Sequence, residues 1–152
     1  MDPREPESLR RYSLFGGILD PQLRLIAARM RQVRYRPGEP LIREGERGDA
    51  IFLLVSGHAE VLKQRADGAV RHLARLDPGA TVGEMEIIDL QPRSCSVVAV
   101  GEVEALSIDR ADLLALKRES IDTFAILALN LARDLSRRLR QMNRAMTEAE
   151  AG

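Results

Sequence analysis

Residues 82–97 read V-G-E-M-E-I-I-D-L-Q-P-R-S-C-S-V, a Gly-Glu pair followed by a Pro-Arg-Ser whose arginine lies ten residues after the glycine. Gly83 has no Cβ, so backbone amides beside it can approach an anion closely. A short helical turn over 85–89 would add N-terminal N–H donors. Glu84, when ionised, only accepts hydrogen bonds; it suits a sugar hydroxyl and repels a phosphate. Arg93 carries a planar fork of donors that matches two phosphate oxygens. An acceptor for a hydroxyl and a cation for a phosphate, carried on one segment, are the complement of a small ribose phosphate.

These side chains must be held by the elements around them, and the flanking pattern is helix, many short strands, then helix. Asp20-Pro21 marks a helix start, with Asp as N-cap and Pro at the first helical position. Leu23, Ile26, Ala27 and Met30 continue it as a helical stripe. Over 32–108 the pattern changes to short strand-like runs, punctuated by Pro37-Gly38, Gly45, Gly48-Asp49, Ser56-Gly57, Asp67-Gly68, Pro78-Gly79 and Gly101. Residues 51–55 are too apolar to alternate and read as a central buried strand, while Asp67-Gly68 would close a hairpin. Regularly spaced short strands imply a sandwich or barrel, here a mainly β fold with flanking helices: a jelly-roll-like β-roll with an N-terminal helix and a long C-terminal helix.

After Asp109 a short helix over 110–117 precedes a long one over 120–146. Phe124, Ala128, Leu131, Leu135, Leu139, Met142 and Met146 recur at a mean of about 3.7 residues, so one apolar stripe runs straight along the helix. At 1.5 Å per residue such a helix is roughly 40 Å long, more than a β-roll of this size covers. The distal Leu139, Met142 and Met146 therefore need another partner, and a second copy of the same helix is the simplest. The expected organisation is a flexible lead-in over 1–13, a β-roll with its N-terminal helix over 14–119, the long helix over 120–147 and a tail over 148–152.

Composition narrows the function classes. A chain of 152 residues holds one core and is short for two domains. No apolar run approaches ~20 residues, so no membrane span is expected, and the charged M-D-P-R-E-P-E-S start lacks a signal-peptide core. Equal counts of 23 basic and 23 acidic residues argue against a dedicated nucleic-acid binder. A single cysteine excludes an intramolecular disulfide and fits a reducing cytosol, hence a cytoplasmic location. No nucleophile–base arrangement or metal-ligand spacing is present; His58 and His72 read as surface or strand-end residues. The chain is not expected to be an enzyme or to need a cofactor.

The 82–97 segment resembles the phosphate-binding cassette of cyclic nucleotide-binding domains, as in bacterial catabolite activator proteins and protein kinase A regulatory subunits. The resemblance covers roughly 14–146 and includes P-G-E-P-L-I-R-E-G-E-R-G-D-A-I-F-L-L-V-S-G-H-A-E-V at 37–61, L-D-P-G at 76–79 and L-S-I-D-R-A-D-L at 106–113. It implies a receptor for cAMP or cGMP. Carried over residue by residue, Glu84 would accept from the ribose 2′-OH, and Arg93 would pair with the cyclic phosphate, helped by amides near Gly83, Met85 and Ser94. The Ser94 hydroxyl could reach the phosphate or a guanine edge. Cys95 follows in the cassette and reads as a small hydrophobe rather than a redox switch. Leu73 and Ala74 fall where the family has an apolar strand beneath the base, and Leu135, Arg138 and Leu139 where the last helix caps it. In the catabolite activator group that helix also forms the dimer seam.

Two positions depart from the family. Glu86 stands where a small Ala or Gly is usual. Facing the phosphate at ~6 Å in an effective dielectric near ~20, it would repel by about 3 kcal/mol, or about a hundredfold in affinity; pointing to solvent, it would cost little. The capping position carries Arg138 and Leu139 where activators place hydroxyl residues, and an arginine could stack on the purine instead. Base preference is open. Of Arg133, Arg137, Arg138, Arg140 and Arg144, most would form a solvated face, with Arg138 the one turned inward. The leading expectation is a stand-alone bacterial receptor that signals to an unidentified partner protein by moving its last helix, without direct DNA binding. The alternatives are a ligand-free interaction scaffold and a sensory fragment of a transcription regulator.

Overall fold

The computed structural model describes residues 2–151. Eight strands form two four-stranded sheets: β1 (Arg31–Tyr35), β2 (Pro40–Ile42), β3 (Ala50–Ser56), β4 (Ala59–Gln64), β5 (Val70–Leu76), β6 (Thr81–Val82), β7 (Ser96–Ala99) and β8 (Val103–Asp109). One sheet runs β1-β8-β3-β6 and the other β2-β7-β4-β5, with every pair antiparallel. Helices α1 (Pro6–Leu9) and α2 (Asp20–Ala27) precede the strands, α3 (Glu84–Asp89) interrupts them, and α4 (Arg110–Glu119) and α5 (Ile121–Ala151) follow. The β-roll with flanking helices is the architecture the strand pattern predicts.

The apolar run at 51–54 has a direct structural cause. Successive side chains of a strand point to opposite faces, and both faces of β3 are covered. Ile51 and Leu53 join a helix-side core with Leu9, Phe15, Leu23, Ile26, Leu106, Leu116 and Leu127. Phe52 and Leu54 join an inter-sheet core with Leu41, Ile42, Val82, Val97 and Val103. The β4–β5 hairpin closes at Asp67-Gly68 as expected: Gly68 has φ of 87°, and the Arg65 amide donates to the Ala69 carbonyl at 2.7 Å.

Several boundaries differ from the sequence reading. Leu19, not Asp20, caps α2, because Gln22 reaches back to accept from the Leu19 amide at 3.1 Å. The lead-in expected to be flexible holds α1, whose Leu9 is fully buried in the helix-side core; an apolar anchor fixes a segment that composition alone marks as mobile. The tail expected from 148 continues α5 to Ala151, while Met1 and Gly152 lie outside the described residues. The apolar stripe on α5 is also out of phase at its start. The buried residues are Thr123, Leu127, Asn130 and Leu131, whereas Ala128 is exposed. The inner face carries two polar residues that a hydrophobic pattern cannot register. Thr123 is satisfied by the Ser120 hydroxyl at 2.8 Å, and Asn130 Nδ2 donates to the carbonyls of Leu14 and Gly16, each at 2.9 Å.

Asn130 therefore ties the proximal half of α5 to the 3-10 turn at Ser13–Phe15. The Ser13 hydroxyl adds a bond to Asp134 Oδ1 at 3.2 Å. From Leu139 onward every α5 side chain through Glu150 is exposed. Replacing Asn130 by alanine strands the buried Leu14 carbonyl and frees that of Gly16, so Asn130→Ala is expected to lower unfolding stability by about 1–3 kcal/mol in urea denaturation.

Candidate functional site

The 82–97 segment is positioned by the pairing of β6 with β3 and by contacts with the β2–β3 loop. β6 pairs with β3 through Phe52↔Val82, which brings Gly83 beside Ala50. At Gly83 the chain turns into α3 with φ of 93°, and a Cβ there would lie 2.6 Å from the Ala50 carbonyl oxygen and 2.9 Å from Arg93 Nη1. The backbone of Arg93 is locked to the β2–β3 loop: its amide donates to Glu46 at 2.9 Å and its carbonyl accepts from Gly45 at 2.8 Å. Its side chain then crosses Gly48, where a Cβ would come within 2.4 Å of Nε and 2.5 Å of Cζ.

The guanidinium of Arg93 is buried, with 5% of the side chain exposed. Nη1 donates to the Gly83 carbonyl at 2.9 Å and Nη2 to the Ala50 carbonyl at 2.7 Å. Its counter-charge is Glu86, whose Oε2 lies 3.3 Å from Nη1. The other oxygen of Glu86 accepts from the Ser94 amide at 3.4 Å. Of the two orientations open to Glu86 from sequence, the inward one is present. Glu84, the first residue of α3, is almost wholly buried and accepts from Arg138 Nη2 of α5. Arg138 is the inward member of the basic set on α5.

The predicted residues thus fall into three places. Gly83, Arg93 and Ser94 meet around the buried guanidinium, with Ser94 itself exposed and Cys95 half-buried beside it. Met85, Leu135 and Arg138 line a groove where α3 faces α5, which Ile88, Leu139 and Met142 help to complete, and Glu84 meets Arg138 from beneath. Leu73 and Ala74 are on the edge strand β5, both exposed; Leu73 is the extra residue where β5 bulges against Val61 and Leu62. Neither lines the groove around Arg138. Three participants escaped the sequence reading. Gly48 looked like one more turn glycine, the Ala50 carbonyl is backbone, and Lys63, 2.7 Å from the Ser94 carbonyl, sits on a strand with no local signal. Only the glycine spacing within G-E-R-G-D-A could have pointed to Gly48.

A model of the cyclic nucleotide-binding domain matches residues 32–120, more than half of the chain and all of the cassette. The chain belongs to the cyclic nucleotide-binding domain family. The cyclic AMP receptor protein of Thermus thermophilus is 37% identical over 128 residues, 84% of this chain and 57% of that protein. A CRP-like cAMP-activated global transcriptional regulator of Mycobacterium tuberculosis is 30% identical over 142 residues, 93% of this chain and 62% of that protein. The chain therefore spans less than two thirds of the length of either relative. A solved cyclic nucleotide-binding domain from Methylobacillus flagellatus superposes with a TM-score of 0.84 at 25% identity, covering 95% of this chain and 82% of the other. Helix α5 begins where the family match ends, so Arg138 lies outside the matched residues of this cyclic nucleotide-binding domain.

Among the described residues no group of three His, Cys, Asp or Glu side chains is placed to hold a metal ion, and no helix is long and apolar enough to cross a membrane. The two glycines give a test of the geometry. Gly83→Ala forces a left-handed residue and a clash with the Ala50 carbonyl, and is expected to cost at least about 1–2 kcal/mol of stability in chemical denaturation. Gly68→Ala has a similar φ of 87° but open space around it, so its loss should be confined to the backbone term and be the smaller of the two.

Proposed function

We propose that the chain is a cyclic nucleotide receptor module for cAMP or cGMP, in which the cassette senses ligand and α5 reports it. The observation that carries this reading is the pair of buried, oppositely charged groups on one short segment. A buried carboxylate and a buried guanidinium are expensive unless partnered, and both partners present here are side chains that a ribose hydroxyl and a cyclic phosphate can replace. In the proposed complex Glu84 accepts from the ribose 2′-OH. Arg93 and the Ser94 amide take the phosphate, and Met85 and Cys95 flank it. The base lies between Leu73 and Ala74 on β5 and the Leu135–Arg138 turn of α5, where the freed guanidinium of Arg138 can stack on it.

Signalling follows from how α5 is attached. Its proximal half is fixed by Asn130, whereas its distal half is tied to the cassette by Glu84–Arg138. A groove of about 220 Å³, lined by Ile87, Leu113, Phe124, Leu127, Ala128 and Leu131 among others, separates α3 from α4 and α5. It gives the helix room to shift when Glu84 changes partner. The exposed Leu139, Met142 and Met146 would pack against a second copy of α5, because an isologous pair is the arrangement in which one apolar stripe covers itself. The remaining helix surface would face a downstream partner protein.

A second reading has one observation in its favour. The Glu86 carboxylate on Arg93 suits a fold that has given up its ligand and serves as an interaction scaffold. Isothermal titration with cAMP and cGMP, with 5′-AMP as the open-phosphate control, separates the two. Micromolar or tighter binding of one cyclic nucleotide, abolished in Glu84→Ala, is the expected result. Silence from folded, nucleotide-free protein would favour the scaffold. Ligand is also expected to change amide hydrogen exchange across residues 138–150, while exchange near Asn130 stays constant; unchanged exchange along all of α5 would remove the helix from the signalling path.

A further inference from the structure

The Glu86 carboxylate spans two anion-binding groups at once. One oxygen meets Arg93 Nη1 at 3.3 Å and the other meets the Ser94 amide at 3.4 Å. An oxyanion that satisfies a guanidinium N–H and a backbone N–H together does what two oxygens of a phosphate diester would do at the same place. Resting on the receptor reading above, we infer that Glu86 is a built-in anion that fills the phosphate subsite of this chain, so that nucleotide binds by displacing it, and that this residue sets the affinity of the site.

Three observations carry the inference beyond charge repulsion. First, Arg93 needs an anion. Its guanidinium is buried against two neutral carbonyls, and Glu86 is the carboxylate that neutralises it. Second, Glu86 can leave. Its side chain is 14% exposed against 5% for Arg93, and its neighbours on α3, Met85 and Ile88, face solvent. A change of rotamer therefore carries the carboxylate to water without moving the helix. Third, the subsite is reachable from outside, since Ser94 is exposed. A carboxylate held in this way competes as an intramolecular ligand, and its effective concentration is independent of how much nucleotide is present. The resulting receptor has a raised threshold: it ignores ligand levels that fill an otherwise identical site with a small residue at 86.

The test compares the full chain with Glu86→Ala, Glu86→Gln and the double variant Glu86→Ala/Arg93→Ala, all freed of co-purified nucleotide. In chloride buffer Glu86→Ala should melt below wild type, because Arg93 has lost its anion. Millimolar inorganic phosphate should restore it more than it shifts wild type or the double variant. Glu86→Gln, which keeps the shape and the bond to Ser94 but not the charge, should fall between. Titration with cAMP and cGMP should then show Glu86→Ala binding about ten- to a hundredfold tighter than wild type. Equal or weaker nucleotide affinity in Glu86→Ala, with wild type binding, overturns the inference and leaves the receptor reading standing. Phosphate rescue that depends on Arg93, with no nucleotide bound by any variant, keeps Glu86 as the internal anion and removes the receptor reading instead. No rescue and no gain in affinity refutes the inference outright.

Discussion

The site is organised by the need to solvate one buried cation. A guanidinium withdrawn from water requires carbonyls for its N–H groups and an anion for its charge, and the surrounding fold can be derived from that demand. The cation crosses a residue without a side chain, Gly48, because any Cβ there would occupy its volume. It receives the Gly83 carbonyl because the left-handed turn at Gly83 aims it inward, and the Ala50 carbonyl because β6 pairs with β3 just where that carbonyl emerges. Two stretches of chain far apart in sequence thus converge on Arg93: residues 45–50, from the β2–β3 loop into β3, and the cassette itself from Gly83 to the arginine. The cassette is local in sequence, but its rigidity is tertiary.

The same logic applied to Glu84 explains why α5 can be both part of the domain and separable from it. A buried carboxylate must be paired, and its partner Arg138 is 43% exposed. The exposed end of such a pair is screened by solvent, so in the proposed receptor Arg138 would be the exchangeable half of the contact. Asn130 is the opposite case. It is buried, neutral and bonded twice to main-chain carbonyls, and nothing mobile offers it an alternative. In the proposed receptor, the polar anchor at Asn130 and the ion pair two turns further along α5 would make a lever with a defined fulcrum.

How much of this could be read from the residues depended on which kind of signal each part leaves. The roll was legible because turn glycines and short apolar runs are local, and 51–54 showed its double burial by failing to alternate. The cassette was legible because Gly83, Glu84 and Arg93 lie on one segment at a spacing that chemistry constrains. What escaped was of three physical kinds. Polar residues that pack inward, Thr123 and Asn130, shifted the true face of α5 away from its apolar stripe. Contacts made by backbone, such as the Ala50 carbonyl, have no residue type to announce them. The direction of a side chain on a short helix was undetermined, and for Glu86 that direction decides the state of the site. Burial of Leu9 was missed for a related reason: one apolar residue in a charged lead-in has no periodicity, yet a single anchor is enough to order four residues.

Charge balance links the two internal pairs. Glu84 with Arg138 and Glu86 with Arg93 bring two carboxylates and two guanidiniums together, so the resting site is neutral within itself. A cyclic phosphate adds one negative charge to that set, and the burial that makes each pair firm also makes an unbalanced charge costly. In the proposed complex neutrality would return most directly if one carboxylate departed, and of the two Glu86 is the more exposed, whereas Glu84 is almost wholly enclosed. Lys63 is a further cation at the edge of this set, held by the Ser94 carbonyl and by Glu44 at 3.5 Å. Affinity in such a site is a difference between two well-satisfied states rather than a sum of contacts to the ligand. With Glu86 as the internal anion proposed above, one side chain at position 86 would move it by orders of magnitude while every strand, turn and glycine that builds the fold stays as it is.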